Sequence, residues 1–328
     1  MKRSSLLLGI LLTLTACGTG DGSATTTTEG SRPTTTEAST TTSLATTTEA
    51  VSVEFPVTIE AENGEVTVDE TPESIVSLSS TATEMLFAIG AGPQVVAVDD
   101  QSNYPAEAPM TDLSGFTPNV EAILSYQPDL VVIGYDPGEL VASLEAAGVP
   151  VINYSAAITI DDVHRQIEAL GAVTGQVDEA AAVSESIADE LASIAEEAPE
   201  ADGVTYYHEL ENTLYTATSS TFYGQIYGLF GLENIADAAD EDGSAFGYPQ
   251  LSSEYVVSAD PDIIFLADTL YGESAETVAA RPGWDVLAAV QEGHVVELDS
   301  DIASRWGPRI VDFAQSVSDA IGAYVGQG

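Results

Sequence analysis

Basic residues are scarce in this sequence. Only 7 Lys and Arg stand against 53 Asp and Glu in 328 residues, which gives a formal net charge of -46. A surface of this sign repels phosphate backbones and anionic lipids, so we expect no nucleic-acid binding. A charge imbalance of this kind bears on solubility rather than on fold.

Cysteine, histidine and the common catalytic motifs are also nearly or wholly missing. The single cysteine, Cys17, excludes an intramolecular disulfide and a Cys-x-x-Cys site. The three histidines, His164, His208 and His294, lack metal-ligand spacing. No Gly-x-Ser-x-Gly elbow, Gly-x-x-x-x-Gly-Lys phosphate loop or His-Glu-x-x-His motif is present. The sequence therefore predicts a protein that is not an enzyme, with no cofactor and no metal site.

The amino-terminal region has the features of a bacterial lipoprotein signal. A basic pair precedes an apolar run at residues 6–14, which is too short to cross about 30 Å of hydrocarbon as a helix. Residues 14–17 (LTAC) resemble a lipobox, which makes Cys17 the predicted lipidation site; an ordinary secretory signal is the alternative. We predict a signal peptide and lipobox over residues 1–17 and a Thr-rich, disordered tether over residues 18–52.

Beyond residue 52, short apolar strands alternate with helical stretches. Asn63-Gly64 predicts a β-hairpin, and the strand–helix–strand order that follows indicates parallel sheets covered by helices. Residues 177–198 have apolar side chains at helical spacing, and a helix of that length, roughly 30 Å, can join two lobes. The predicted fold class is α/β, with two lobes that each contain a mainly parallel β-sheet flanked by helices, joined by one long inter-lobe α-helix. The predicted boundaries are 53–158 for the first lobe, 159–199 for the linking helical segment and 200–328 for the second lobe.

Two local patterns make narrower predictions. Thr81 and Glu84 have the spacing of a capping box at the start of a helix. Residues 275–289 read as one continuous helix.

An internal repeat is the most informative feature. Residues 121–133 (EAILSYQPDLVVI) and 254–266 (EYVVSADPDIIFL) share Glu, Ser, Pro and Asp at equal positions. Each copy predicts a helix that begins at the glutamate and ends before the proline, followed by a buried strand. Two equivalent lobes predict a cleft between them, because ligands of parallel α/β sheets bind beyond the carboxyl ends of the strands.

Five segments carry a resemblance to a known family: residues 74–90 (SIVSLSSTATEMLFAIG), Tyr104-Pro105 followed by an acidic residue, 119–133, 251–266 and 302–310 (IASRWGPRI). In this order, behind a lipobox, they resemble the helix-linked, class III periplasmic solute-binding proteins of ABC importers for ferric siderophores, cobalamin and haem. The resemblance implies an extracytoplasmic, lipid-anchored monomer that captures a ferric siderophore or a cobalamin-like chelate and delivers it to a permease. A Zn(II), Mn(II) or haem binding protein of related architecture is the alternative within the class, and a surface adhesin is a further one.

The resemblance also implies roles for individual residues. Glu121 and Glu254 correspond to the glutamates with which each lobe docks onto permease arginines. The alternative is that each glutamate only stabilises its helix, by interacting with the positive end of the helix macrodipole. The predicted ligand-facing residues, mostly aromatics that offer rigid amphipathic area, are Tyr104, Phe116, Tyr135, Tyr223, Tyr248 and Arg305. For the aromatics the alternative is core packing, and for Arg305 it is a helix C-cap.

Overall fold

The computed structural model describes residues 53–326 of the chain. Its first element is an antiparallel hairpin of β1 (Val57–Ala61) and β2 (Gly64–Val68). The hairpin turns at Asn63-Gly64 as predicted, with Gly64 at φ 103°, a conformation that glycine adopts without steric cost. The predicted signal peptide, lipidation site and tether at residues 1–52 lie outside the described residues.

The first lobe is built on a five-stranded parallel sheet. In chain order its strands are β3 (Ile75–Leu78), β4 (Val95–Asp99), β5 (Met110–Leu113), β6 (Leu130–Ile133) and β7 (Val151–Asn153). Across the sheet they run β5-β4-β3-β6-β7. The residues of β3 and β6 are all buried, as expected for central parallel strands covered on both faces. The helices of this lobe are α1 (Ser80–Ala88), α2 (Val120–Leu124) and α3 (Leu140–Ala146).

Two consecutive helices follow, α4 (Ile160–Thr174) and α5 (Val177–Glu197), separated by Gly175 in the left-handed conformation. Helix α4 packs against α1 and β1 of the first lobe, whereas α5 packs against α4 and against the C-terminal helix of the second lobe. Apolar residues of both lobes and both linking helices form one continuous core. The predicted helical link is present, and the long helix predicted over residues 177–198 forms, but the link consists of two helices rather than one. Among the described residues, no helix is both long and apolar enough to cross a membrane.

The second lobe repeats the plan of the first. Its strands are β8 (Thr205–Glu211), β9 (Tyr215–Thr216), β10 (Glu233–Asn234), β11 (Ile263–Leu266) and β12 (Val295–Glu297). They run β10-β8-β11-β12, with β9 antiparallel beside β8. Its helices are α6 (Phe222–Gly228), α7 (Ser253–Ala259), α8 (Ala275–Ala279), α9 (Ala288–Glu292), α10 (Ser300–Ala303) and α11 (Ile310–Val325). The repeated sequence segments form α2–β6 in one lobe and α7–β11 in the other. The fold class is as predicted.

Two local predictions are wrong. Helix α1 is capped by Ser79, whose Oγ accepts from the Ala82 N–H at 3.2 Å, so Thr81 and Glu84 form no capping box. The helix begins earlier than predicted because β3 ends at Leu78 and Ser79 follows it directly.

The predicted helix over residues 275–289 is interrupted. Helix α8 ends at Ala279, a 3-10 turn spans Trp284–Val286, and α9 begins at Ala288. Pro282 lacks the N–H that a continuing helix needs and disfavours helical geometry in the residue before it, and Gly283 takes a φ of 82°, so the helix ends before this pair.

Candidate functional site

A cleft of about 520 Å³ lies where the carboxyl ends of the two sheets face each other. Several lining residues lie at the carboxyl ends of strands in both lobes. They are Leu78 in β3, Asp99 in β4, Gly134 after β6, Leu210 in β8 and Ala267 after β11. Parallel α/β sheets bind ligands at this edge, because the loops there are free to carry side chains of any chemistry.

Exposed apolar side chains face the cleft from both lobes. The first lobe contributes Phe116, which is 72% exposed, and Tyr135. The second contributes Leu270 and Tyr271, which is 83% exposed, from the 3-10 turn that follows β11. Large, solvent-exposed side chains on two facing walls form a surface that a bulky, partly apolar ligand can cover.

The back wall of the cleft is continuous with the core. Tyr223, in the first turn of α6, is only 6% exposed and contacts the ring of Trp306 at a centroid distance of 6.2 Å. Behind it lies His208, at 4.6 Å between centroids, hydrogen-bonded through Nδ1 to the Tyr227 hydroxyl at 2.7 Å. Burial lowers the pKa of His208 to about 3, so this imidazole is neutral. Burial also raises the pKa of Tyr223, and the charge of nearby Tyr248 adds to the rise.

Charged groups in the cleft wall are mainly acidic. Among the lining residues, Asp99 and Asp301 are carboxylates and Arg305 is the one cation. The Oδ1 atom of Asp99 accepts hydrogen bonds from the Ser102 hydroxyl at 2.7 Å and from the Gln101 N–H at 3.3 Å. Burial of Asp99 nevertheless raises the pKa of its carboxyl group.

Arg305 lines the cleft, but its guanidinium is bound to protein atoms. Its Nη1 donates to Glu84 Oε1 and to Asn103 Oδ1, both at 2.8 Å. Its Nη2 donates to the Gln101 carbonyl at 3.0 Å and lies 2.9 Å from Asp301 Oδ1. Four acceptors therefore use the donors of both terminal nitrogens, so the positive charge is largely compensated before any ligand arrives.

Four of the six predicted ligand-facing residues line the cleft: Phe116, Tyr135, Tyr223 and Arg305. Tyr104 and Tyr248 are not among the lining residues. The ring of Tyr104 lies under the Arg309 guanidinium, 4.3 Å from its centroid. Tyr248 is exposed in the loop before α7, close enough to Tyr223 to influence its pKa.

Glu121 and Glu254 occupy equivalent positions. Each is the second residue of its helix, two after an N-cap residue, Asn119 or Ser252, whose side chain accepts a backbone N–H at 3.0 or 3.1 Å. Both are exposed, and within residues 53–326 neither carboxylate has an ion pair or side-chain hydrogen bond. Helices α2 and α7 run antiparallel to the strands that follow them, so both glutamates lie at the edge of the lobes that carries the cleft.

Comparison with known proteins agrees with this geometry. Residues 75–302 match the model of a family described as periplasmic binding protein. The chain belongs to this family. It is 30% identical over 278 residues to an uncharacterized ABC transporter substrate-binding lipoprotein of Bacillus subtilis, covering 81% of this chain and 86% of the relative. It is 34% identical over 270 residues to a cobalamin-binding protein of Halobacterium salinarum, covering 79% and 72%. The vitamin B12-binding protein BtuF of Vibrio cholerae superposes with a TM-score of 0.61 at 28% identity, over 78% of this chain and 98% of that one.

Family membership makes this chain an extracytoplasmic solute-binding protein of an ABC importer, not an enzyme. Its partners are accordingly a small-molecule ligand and the permease. In the part of the binding protein that the structure describes, no three His, Cys, Asp or Glu residues are arranged to hold a metal ion. Nothing there favours the predicted alternative of bare Zn(II) or Mn(II) as the ligand.

Sequence reasoning missed several cleft residues of this binding protein, notably Asp99, Leu270 and Tyr271. A signal was available, because Asp99 directly follows the apolar run at residues 95–98, and Leu270 and Tyr271 closely follow the apolar run at residues 263–266. Inspecting the residues after each predicted strand would have found all three. The partners of Arg305 had no such signal.

Proposed function

We propose that this binding protein captures a cobalamin-type chelate in the inter-lobe cleft and delivers it to the permease of an ABC importer. The observation that carries the proposal is a cleft with exposed aromatic rings on both walls and a net acidic lining. Its volume, about 520 Å³, is within the range of roughly 300–1,000 Å³ usual for pockets that bind drug-sized ligands, so a larger corrinoid would extend out of the cleft. Two relatives described above, from Halobacterium salinarum and Vibrio cholerae, bear the names of cobalamin-binding and vitamin B12-binding proteins.

The facing walls suit a wide, flat ligand. Phe116 and Tyr135 on one side, and Leu270 and Tyr271 on the other, can cover both faces of a macrocycle. Aromatic side chains do this at low entropic cost, because each has only two rotatable side-chain bonds.

The acidic lining of the cleft disfavours anionic ligands relative to neutral ones. A haem with ionised propionates or a triscatecholate would meet Asp99, while the donors of Arg305 are already engaged by Glu84 and Asp301. In a partly desolvated cleft such repulsion is only weakly screened. Neutral, amide-rich corrinoids avoid it, and ferric hydroxamates avoid it equally, so the latter are the second candidate.

The proposal extends to docking and location. Glu121 and Glu254, exposed at equivalent places beside the cleft, would contact basic residues of the permease, one from each lobe. We further propose that the mature protein is a monomer, that Cys17 carries the lipid anchor, and that residues 18–52 are the tether. The boundaries 53–158, 159–199 and 200–328 serve as the working definition of the lobes and their link.

The two tryptophans provide a direct test. Trp306 lines the cleft, whereas Trp284 is buried in the core of the second lobe. Titration with cyanocobalamin should quench fluorescence saturably, and Trp306→Phe should remove most of the saturable signal while calorimetry still detects binding. A ferric trihydroxamate and hemin are titrated in parallel. Failure of cyanocobalamin to bind would contradict the proposal; binding of the trihydroxamate without it would select the second candidate instead, and binding of hemin alone would also reject the argument from charge.

A further inference from the structure

The two lobes are joined beneath the cleft by a buried ion cluster. Glu84, in α1 of the first lobe, has a side chain that is only 1% exposed. Two arginines between α10 and α11 of the second lobe bind it: Arg305 at 2.8 Å, and Arg309 through two bonds of 2.9 and 2.6 Å. We call these three residues the inter-lobe latch.

Further contacts join the two lobes beside the inter-lobe latch. Asn103 of the first lobe accepts from Arg305 at 2.8 Å and donates through Nδ2 to Asp301 Oδ2 at 2.7 Å. Gly307, between the two arginines, packs close to α1, since a Cβ there would lie 3.6 Å from the Thr81 carbonyl oxygen. The segment that carries the arginines is therefore seated on the first lobe by backbone packing as well as by charge.

Small displacements at the contact between the lobes are costly. A gap at α1 that is too narrow to admit water would separate the buried Glu84 carboxylate from its cations, and an uncompensated buried charge is strongly unfavourable. Glu84 and Arg309 do not line the cleft, so neither has a direct part in contacting the ligand. Arg305 and Trp306 are adjacent in the chain and do line it, so the latch fixes one wall of the cleft.

We propose that Glu84 is a positioning residue that holds the empty cleft at the width required by the ligand. A preformed cleft binds more tightly because binding does not have to bear the cost of ordering two lobes. This inference rests on the proposed function for its ligand, but the inter-lobe distance that it predicts can be measured without one. It also implies that the terminal nitrogens of Arg305 can bind an anionic ligand only if they release one of their protein acceptors.

A matched pair of variants tests the role of Glu84. Glu84→Gln weakens the latch, whereas Glu209→Gln weakens an equally buried pair, Glu209 with Arg281 at 2.6 and 2.5 Å, that lies wholly within the second lobe. We expect Glu84→Gln to weaken cyanocobalamin binding by about tenfold or more, with a faster off-rate, and Glu209→Gln to leave it within about twofold even if both lower Tm. Arg309→Gln should resemble Glu84→Gln, and the double variant should lose less than the sum of the two.

The second measurement is the distance between the lobes without ligand. Spin labels at Ala142→Cys in α3 and Ala279→Cys in α8, in a Cys17→Ala background, report one lobe each. The distance distribution should be narrow in the parent and in Glu209→Gln, and broader in Glu84→Gln. An unchanged distribution in Glu84→Gln, or an equal loss of affinity in Glu209→Gln, would overturn the inference. If the parent binds no ligand of the panel, the proposed function fails, and the distance measurement still decides the role of the latch.

Discussion

Removal of the Phe116 ring should weaken ligand binding while leaving the fold intact. The ring is 72% exposed on the wall of the cleft, in the loop that leads into α2. Because it makes few contacts inside the protein, Phe116→Ala should change the free energy of unfolding by no more than about 0.5 kcal/mol.

The expected loss of affinity follows from the exposed area of this side chain. An aromatic side chain offers roughly 200 Å², so about 140 Å² of Phe116 is open to solvent. A ligand that covers half of this removes about 70 Å² from water, which at about 25 cal/mol per Å² contributes nearly 2 kcal/mol. The dissociation constant should therefore rise about 20-fold.

Isothermal calorimetry with cyanocobalamin, at one fixed salt concentration, measures this effect. Tyr126→Ala is the control, because Tyr126 is a partly exposed aromatic in the same lobe that does not line the cleft. Its affinity should equal that of the parent. An affinity of Phe116→Ala within twofold of the parent, or an equal loss in Tyr126→Ala, would refute the reasoning.

Three further outcomes are expected. Glu121→Lys or Glu254→Lys should abolish uptake in cells while calorimetry finds ligand affinity unchanged; a lost affinity would instead assign these residues to the cleft. Asp268 is buried, and within residues 53–326 neither of its carboxylate oxygens has a hydrogen-bond partner; its pKa is raised to about 6 by burial and by the charge of Glu209. The native state therefore holds this proton more tightly than the unfolded chain, and stability from this group is lost as the pH rises from about 4 to 6. Asp268→Asn should raise the free energy of unfolding by about 1–3 kcal/mol at pH 7.5 and by much less at pH 4, as denaturant titrations would show. Finally, the net charge of -46 should make Tm rise with NaCl, since salt shortens the Debye length from about 10 Å at 0.1 M to about 3 Å at 1 M; a flat salt dependence in calorimetry would contradict this.

Predictions from the sequence succeeded where the signal was local or repeated. Residues 177–198 have apolar side chains at helical spacing with no internal breaker, and the helix formed there is Val177–Glu197. Residues 275–289 have similar periodicity, but Pro282-Gly283 in the middle overrides it. The repeated segments at 121–133 and 254–266 correctly predicted twin lobes, because each encodes a helix, a stop and a buried strand in a short span.

By itself, the sequence determined the alternation of strands and helices, the twin-lobe plan and the edge at which a ligand site belongs, since periodicity and strand direction are properties of short stretches of chain. Only the tertiary structure decided which side chains face the cleft and which do not. Arg305 donates a hydrogen bond to Glu84, 221 residues away in the sequence. A residue expected to bind the ligand therefore joins the two lobes instead. No local pattern encodes such a pairing, because it depends on how two independently patterned lobes pack against each other.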